Sequence, residues 1–136
     1  MTKEIWLNLP VKDVNKSKEF FGKIGFSLDA KYTSAEMACF EVGEKKMNVL
    51  FVPVDTFEGF SKSVVSDTKT GSEVLISFDA ESRAEVDETA KKVWDAGGTV
   101  FSEPGEIQGW MYGFGFADLD GHRWNMVFMD FGKMPQ

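Results

Sequence analysis

A chain of 136 residues has room for one folded domain with a substantial core, and too little for two independent ones. With 43% hydrophobic residues, thirteen Phe and four Trp, it carries ample large side chains to bury. The net charge of −7, with 15 basic residues scattered among 22 acidic ones, argues against nucleic acid and anionic membranes as partners, because clustered Lys and Arg supply that affinity.

The alternation of Ile5, Leu7 and Leu9 with Trp6, Asn8 and Pro10 predicts a first strand over Ile5–Val11. Asp13 is suited to cap a helix running to about Lys23, with Val14, Phe20, Phe21 and Ile24 on one face and Gly25 ending it. Three further strands are expected, Phe26–Tyr32, Met37–Val42 and Met47–Val54, the last two joined by the turn Gly43-Glu44-Lys45-Lys46. Asp55–Thr70 has no periodicity and is expected to be a linker able to cover a cavity.

The second half follows the same order. A strand is expected at Glu73–Phe78. Ser82 with Glu85 forms an S-x-x-E capping box that opens a helix with Val86, Ala90 and Val93 on its apolar face, and Gly97-Gly98 stops it. A strand begins at Thr99–Ser102. A hairpin then runs from Tyr112–Phe116 through a two-residue turn at Asp120-Gly121 into His122–Phe128. At the hairpins, Lys46-Met47-Asn48-Val49-Leu50-Phe51 matches Arg123-Trp124-Asn125-Met126-Val127-Phe128. The order β-α-β-β-β written twice predicts an α+β fold of two tandem modules, about 3–54 and about 71–131, joined by a linker at about 55–70. Two such curved mixed sheets would leave a cleft for a small molecule.

Cys39 is the only cysteine, which rules out an internal disulfide and a Cys-based zinc cage; its apolar neighbours suit a buried structural thiol. The N-terminal residues enter a strand-like segment without a signal-peptide core, and no apolar run nears the roughly 18 residues of a membrane span, so a cytoplasmic protein is expected.

Three stretches resemble a known family: Asn8–Asp13, then Glu73-Val74-Leu75 with Ser82–Asp87, and last Met111-Tyr112-Gly113 with Asp118–Trp124. With the doubled βαβββ order, the chain resembles the vicinal oxygen chelate superfamily over Ile5–Asp130. That group includes glyoxalase I, bleomycin-resistance proteins and extradiol dioxygenases. The three stretches look especially like its short bacterial members described as predicted lactoylglutathione lyases. The resemblance implies the glyoxalase/bleomycin-resistance fold, a small-molecule partner and a homodimer.

In metal-using members four strands each supply one ligand. The corresponding positions here are Trp6, Asn48, Glu73 and Asn125. Trp6 has no lone pair to offer, and the two amides are neutral, so the set argues against a bound metal or other cofactor. If a divalent metal were bound, Glu73, Asn48 and Asn125 would hold it. Glu73 is the candidate general base. Trp6, Asn8, Asn48, Trp110, Tyr112 and Asn125 are candidate ligand contacts, with Phe57 and Phe60 as possible additions to an apolar wall. His122, the sole histidine, is expected to be a turn-flanking residue facing away from Asn125.

Two functions follow. One is a lactoylglutathione lyase-like lyase or isomerase acting on a small carbonyl compound or thiol conjugate. The other is a metal-free protein of the bleomycin-resistance type that binds and sequesters a hydrophobic or aromatic molecule, for which the acidic balance suits a cation. An extradiol dioxygenase needs two histidines at its iron and is excluded on inventory.

Overall fold

The structure is a computed structural model that describes residues 1–135. The chain divides into two compact units, Met1–Gly71 and the residues from Ser72 onward.

The first unit runs β1 (Trp6–Val11), α1 (Val14–Lys23), β2 (Ser27–Leu28), β3 (Ala38–Val42), β4 (Met47–Pro53) and α2 (Val54–Ser61). Its sheet has the order β1-β4-β3-β2, with β1 parallel to β4 and the other pairs antiparallel. Asp13 caps α1 by accepting the Lys16 backbone N–H at 3.1 Å, which satisfies one of the helix's orphan donors. Phe20 and Phe21 lie on the buried face of that helix. The Phe21 ring stacks on Phe51 of β4 at 4.6 Å and on Phe26 at 5.2 Å. Each such buried ring contributes about 1.5–3 kcal/mol by leaving water, which fixes the helix to one face of the sheet.

The second unit runs β5 (Leu75–Ala80), α3 (Arg83–Asp95), β6 (Thr99–Ile107), β7 (Met111–Ala117) and β8 (Arg123–Met129). Its sheet repeats the same topology, β5-β8-β7-β6, with β5 parallel to β8. The expected capping pair forms, with the return bond shifted one residue before the N-cap. Ser82 Oγ accepts the Glu85 N–H at 3.1 Å, and the Glu85 carboxylate reaches back to the N–H of Glu81. On the helix-covered face Trp124 stacks on Phe116 with rings 6° from parallel, and Phe78 packs edge-on against both.

The predicted α+β architecture of two βαβββ modules is therefore observed, with several local differences. The strand expected over Phe26–Tyr32 is only two residues long. Asp29 accepts the Lys31 N–H at 3.0 Å and turns the chain into a short 3₁₀ helix over Ala30–Tyr32. The aperiodic segment after β4 begins with α2, which packs on β1 and β4. The fifth strand starts at Leu75 rather than Glu73. The hairpin between β7 and β8 is longer than a two-residue turn, because Asp118 organises it. The Asp118 N–H donates to the His122 carbonyl at 3.0 Å, and the Gly121 N–H donates to the Asp118 carbonyl at 3.0 Å.

The repeat also runs in a different register from the one the matched hairpin residues suggest. Asn48 pairs with Trp6, seven positions before the cap Asp13, whereas Asn125 pairs with Ser77, five positions before the cap Ser82. In the first unit the residue at the level of Asn125 is Leu50, opposite Asn8. Each asparagine lies on the face of its own sheet opposite the packed aromatic residues, but at levels that differ by a full pleat, about 6.6 Å, relative to the helix cap of its unit.

Candidate functional site

Strand alternation sorts the second unit's sheet into two faces. Ile76, Phe78, Trp124, Met126, Phe114 and Phe116 form the packed side. Leu75, Ser77, Arg123 and Asn125 lie on the other, beside Gly113 and Gly115. That second face holds a pocket of about 190 Å³ walled by Leu75, Phe101, Ile107, Val127 and the two glycines, with Ser102, Glu103, Glu106 and Asn125 as its polar lining.

Two local features hollow this pocket. The first is the Gly-Phe-Gly-Phe alternation of β7, which leaves its pocket side without side chains. A Cβ on Gly115 would lie 2.5 Å from the Phe101 ring, and one on Gly113 would lie 2.5 Å from the Met126 carbonyl oxygen. Glycine is required at Gly113, where backbone occupies the space, and at Gly115 a side chain would displace the Phe101 ring. The second is the irregular pairing of β6 with β7 between Val100 and Gly105, which bends the strand beside the pocket.

Asn125 is one of four polar residues lining the pocket. It stands across from Ser77 on one side and Gly115 on the other, and its Oδ1 is buried without a hydrogen-bond partner. A buried carbonyl oxygen left unpaired costs about 1–3 kcal/mol, so this acceptor suits a donor brought by a ligand. Arg123, two residues earlier on the same face, lays its guanidinium 4.3 Å from the centre of the Phe101 ring. Phe101 is thereby held between Gly115 and Arg123.

Asn48 has a different environment. Its Nδ2 donates to Glu4 Oε2 at 2.9 Å and to the Ile5 carbonyl at 3.3 Å, while the Cys39 thiol lies 3.9 Å from its Oδ1. It is buried and internally committed. Trp6 and Asn8 share its sheet face, and the Trp6 ring meets Tyr32 edge-on at 5.6 Å. A hollow of about 690 Å³ nearby is bordered by Glu4, Lys31, Tyr32, Lys46 and Asn48.

The other candidates disperse. Glu73 is exposed ahead of β5, four positions before Ser77, and among the described residues it makes no hydrogen bond or ion pair. Tyr112 is turned to the helix-covered face, where its hydroxyl donates to Asp87 at 2.7 Å; that bond holds the phenol above its ordinary pKa. Trp110 rests against Phe131, its ring 6.2 Å away, and its carbonyl accepts the Asp130 N–H at 2.8 Å, so the loop after Gly109 is tied to the C-terminal segment. Phe57 is half-buried and Phe60 exposed on α2. His122 is half-buried beside Asp118. Arg123, Phe101 and the two glycines escaped the sequence analysis. The Gly-Phe-Gly-Phe pattern was the available signal for the glycines, and sharing strand parity with Asn125 was the signal for Arg123.

Among the described residues no three His, Cys, Asp or Glu side chains gather closely enough to hold an ion. Within the second unit, Glu73 lies four residues before Ser77, the strand partner of Asn125.

Comparison with known proteins places this geometry. Residues 3–43 match the family model described as bleomycin resistance protein-like N-terminal. A hypothetical protein from S. aureus is similar over 94% of each chain, with 33% identity and a TM-score of 0.83. The chain belongs to the vicinal oxygen chelate superfamily.

Other similar structures carry more divergent sequences. A glyoxalase/bleomycin resistance protein/dioxygenase family enzyme from Burkholderia phytofirmans is 19% identical, with a TM-score of 0.77 over 91% of this chain and 96% of its own. A genomically encoded fosfomycin resistance protein from Listeria monocytogenes is also 19% identical, with a TM-score of 0.70 over 98% of each chain. No protein of curated function matches the chain. This vicinal oxygen chelate protein builds each sheet from one βαβββ module, and among the described residues no helix is long and apolar enough to cross a membrane.

Proposed function

We propose that this protein binds a small organic molecule without a metal, in the manner of the superfamily's sequestering members, and that the pocket on the second unit is where it binds. The observation that carries the reading is the buried, unpartnered Oδ1 of Asn125, a lining residue of a pocket walled in part by Leu75, Phe101, Ile107 and Val127. Apolar walls supply affinity and one placed polar group supplies orientation, the usual division of labour in small-molecule sites. The volume of about 190 Å³ is below the roughly 300–1,000 Å³ of drug-sized sites, so the molecule, or the part of it seated here, is small. The test is a fragment panel followed by NMR on the isotope-labelled protein. Saturable shifts clustered at Gly113, Gly115, Asn125 and Val127, without turnover, support the reading. Shifts confined to Lys31, Tyr32 and Asn48 of the first unit would overturn it.

Glu73 favours a second reading, a lactoylglutathione lyase-like lyase or isomerase in which this carboxylate moves a proton on a small carbonyl compound or thiol conjugate. Its support is that Glu73 is exposed and free of protein partners. Turnover of such substrates that is lost in Glu73→Gln, with the melting temperature unchanged, would favour it over sequestration. The proposal includes a homodimer, as the superfamily resemblance implies. A cytoplasmic setting suits a lone buried free cysteine.

A further inference from the structure

We infer, resting on the binding reading above, that Phe101 sets the size of ligand the second unit's pocket accepts, limiting it to a molecule, or a portion of one, with a single six-membered ring.

Strand β6 carries one residue more than β7 at this point. Val100 pairs with Phe116 and Ser102 with Gly115, so Phe101 and Ser102 together stand opposite a single glycine. An extra residue of this kind bends its strand and re-aims a side chain. Here the phenyl ring is aimed into the gap that Gly115 leaves. Three of its carbons lie 2.5, 2.7 and 3.2 Å from the position a Gly115 Cβ would take, so the ring fills the place of the missing side chain. An aromatic ring laid across a strand glycine covers backbone that would otherwise be bare. The Arg123 guanidinium carbon lies over the same ring, 4.3 Å from its centre, a contact that holds it in place.

That placement has a consequence for ligands. Gly115 is the β7 partner of Asn125, so the ring covers the strand next to the unpartnered Oδ1. A molecule that donates to this oxygen has Phe101 as a side wall. Phe114, the other aromatic residue of the lining, turns its ring to the packed side and stacks on Phe116 at 5.5 Å. Phe101 is therefore the one lining ring whose removal frees space on the pocket face. Apolar cavities of about 150 Å³ hold one benzene molecule. The pocket's volume of about 190 Å³ takes one ring with a small substituent and leaves no space for a second fused ring. Phe101 is 42% exposed, so losing its ring removes less packing than losing a buried one, and the truncated variant is expected to fold.

Isothermal titration of the full chain with phenol and 2-naphthol provides the test. The two probes carry the same O–H donor and differ by one ring; both are neutral, because the charged lining residues, Glu103 and Glu106, are acidic. Wild type is expected to bind phenol about tenfold more tightly than 2-naphthol. Phe101→Ala should reverse the order by about tenfold, since the second ring then enters the vacated space and leaves water. Phe101→Leu, which keeps part of the wall, should narrow the wild-type preference without reversing it. A merely structural role for Phe101 would weaken both probes alike and leave their ratio unchanged. An unchanged ratio in folded Phe101→Ala overturns the size limit and leaves the binding reading intact, as does 2-naphthol matching phenol in the wild type. So does phenol failing to bind while the fragment panel saturates the pocket. Both readings fall together if neither the probes nor the panel saturates it. Melting temperatures establish that the variants are folded, and the ratio in Phe101→Leu decides the matter if Phe101→Ala is not.

Discussion

The carboxylate of Asp118 accepts the indole N–H of Trp124 at 3.1 Å, in the corner where β7 turns into β8. Its other oxygen accepts the backbone N–H groups of Asp120 and His122 at 2.9 and 3.0 Å. One buried side chain thus closes the hairpin and orients the tryptophan that backs the sheet.

Asp118→Ala is expected to cost about 2–4 kcal/mol, because it strands three donors, one on a fully buried ring. Urea unfolding measures it. The pH dependence has a definite sign. Burial raises the Asp118 pKa above 3.8, against the opposing effects of His122, the Trp124 bond and the two backbone N–H groups. A raised carboxyl pKa means that the folded state holds the proton more strongly than the unfolded chain. The resulting stabilisation is complete below 3.8 and is lost as pH rises through the raised value. Wild type should therefore gain on Asp118→Asn as pH is lowered through that window. A stability difference that stays flat with pH would contradict this.

The two asparagines should respond oppositely to the same change. Asn125→Leu removes an unpaired buried oxygen and is expected to be neutral or to stabilise by about 1 kcal/mol. Asn48→Leu removes the donor to Glu4 and Ile5 and is expected to destabilise by about 1–3 kcal/mol. Chemical denaturation of the pair decides it, and equal losses at both sites would contradict the assignment of Asn125 to ligand binding.

Two glycines make a second contrast. At Gly113 a methyl group would strike the Met126 backbone, which cannot move without breaking the β7–β8 ladder. At Gly115 it would strike the tip of Phe101, a half-exposed ring that can rotate. Gly113→Ala is expected to cost upward of about 3 kcal/mol and Gly115→Ala about 1 kcal/mol. Gly115→Ala should also loosen the Phe101–Arg123 stack, visible as altered ring resonances of Phe101.

Cys39 should be inert while the protein is folded. It is fully buried, and burial, followed by the nearby carboxylates of Asp29 and Glu41, pushes its thiol up to about 11. Labelling by a disulfide reagent at pH 8 is expected to follow the rate of unfolding, accelerating with urea. Rapid labelling of the native protein would contradict it.

The elements that read cleanly from sequence are those whose cause is local. Asp13 before α1 and Ser82 with Glu85 before α3 act within one helical turn, so their residue types alone announced both helices. The periodicity of Phe20, Phe21, Val86 and Val93 likewise placed the packed faces. The shortened β2 was hidden because Asp29 chose a turn over a strand, a competition between two local hydrogen-bond patterns that composition does not decide. Helix α2 carries no side-chain cap, which is why Val54–Ser61 gave no starting signal.

The site divides along the same line. Strand parity, a property of the chain alone, put Trp6 and Asn8 on one sheet face and set Asn125 apart from Trp124. The register between strands is a matter of distant pairing, and it separated two asparagines that the sequence set side by side as equivalents. Only the folded sheets show that Asn48 finds its partners in Glu4 and Ile5, while the buried oxygen of Asn125 has none. Whether a buried polar atom is satisfied depends on groups brought from far along the chain, which is why tertiary structure decided it.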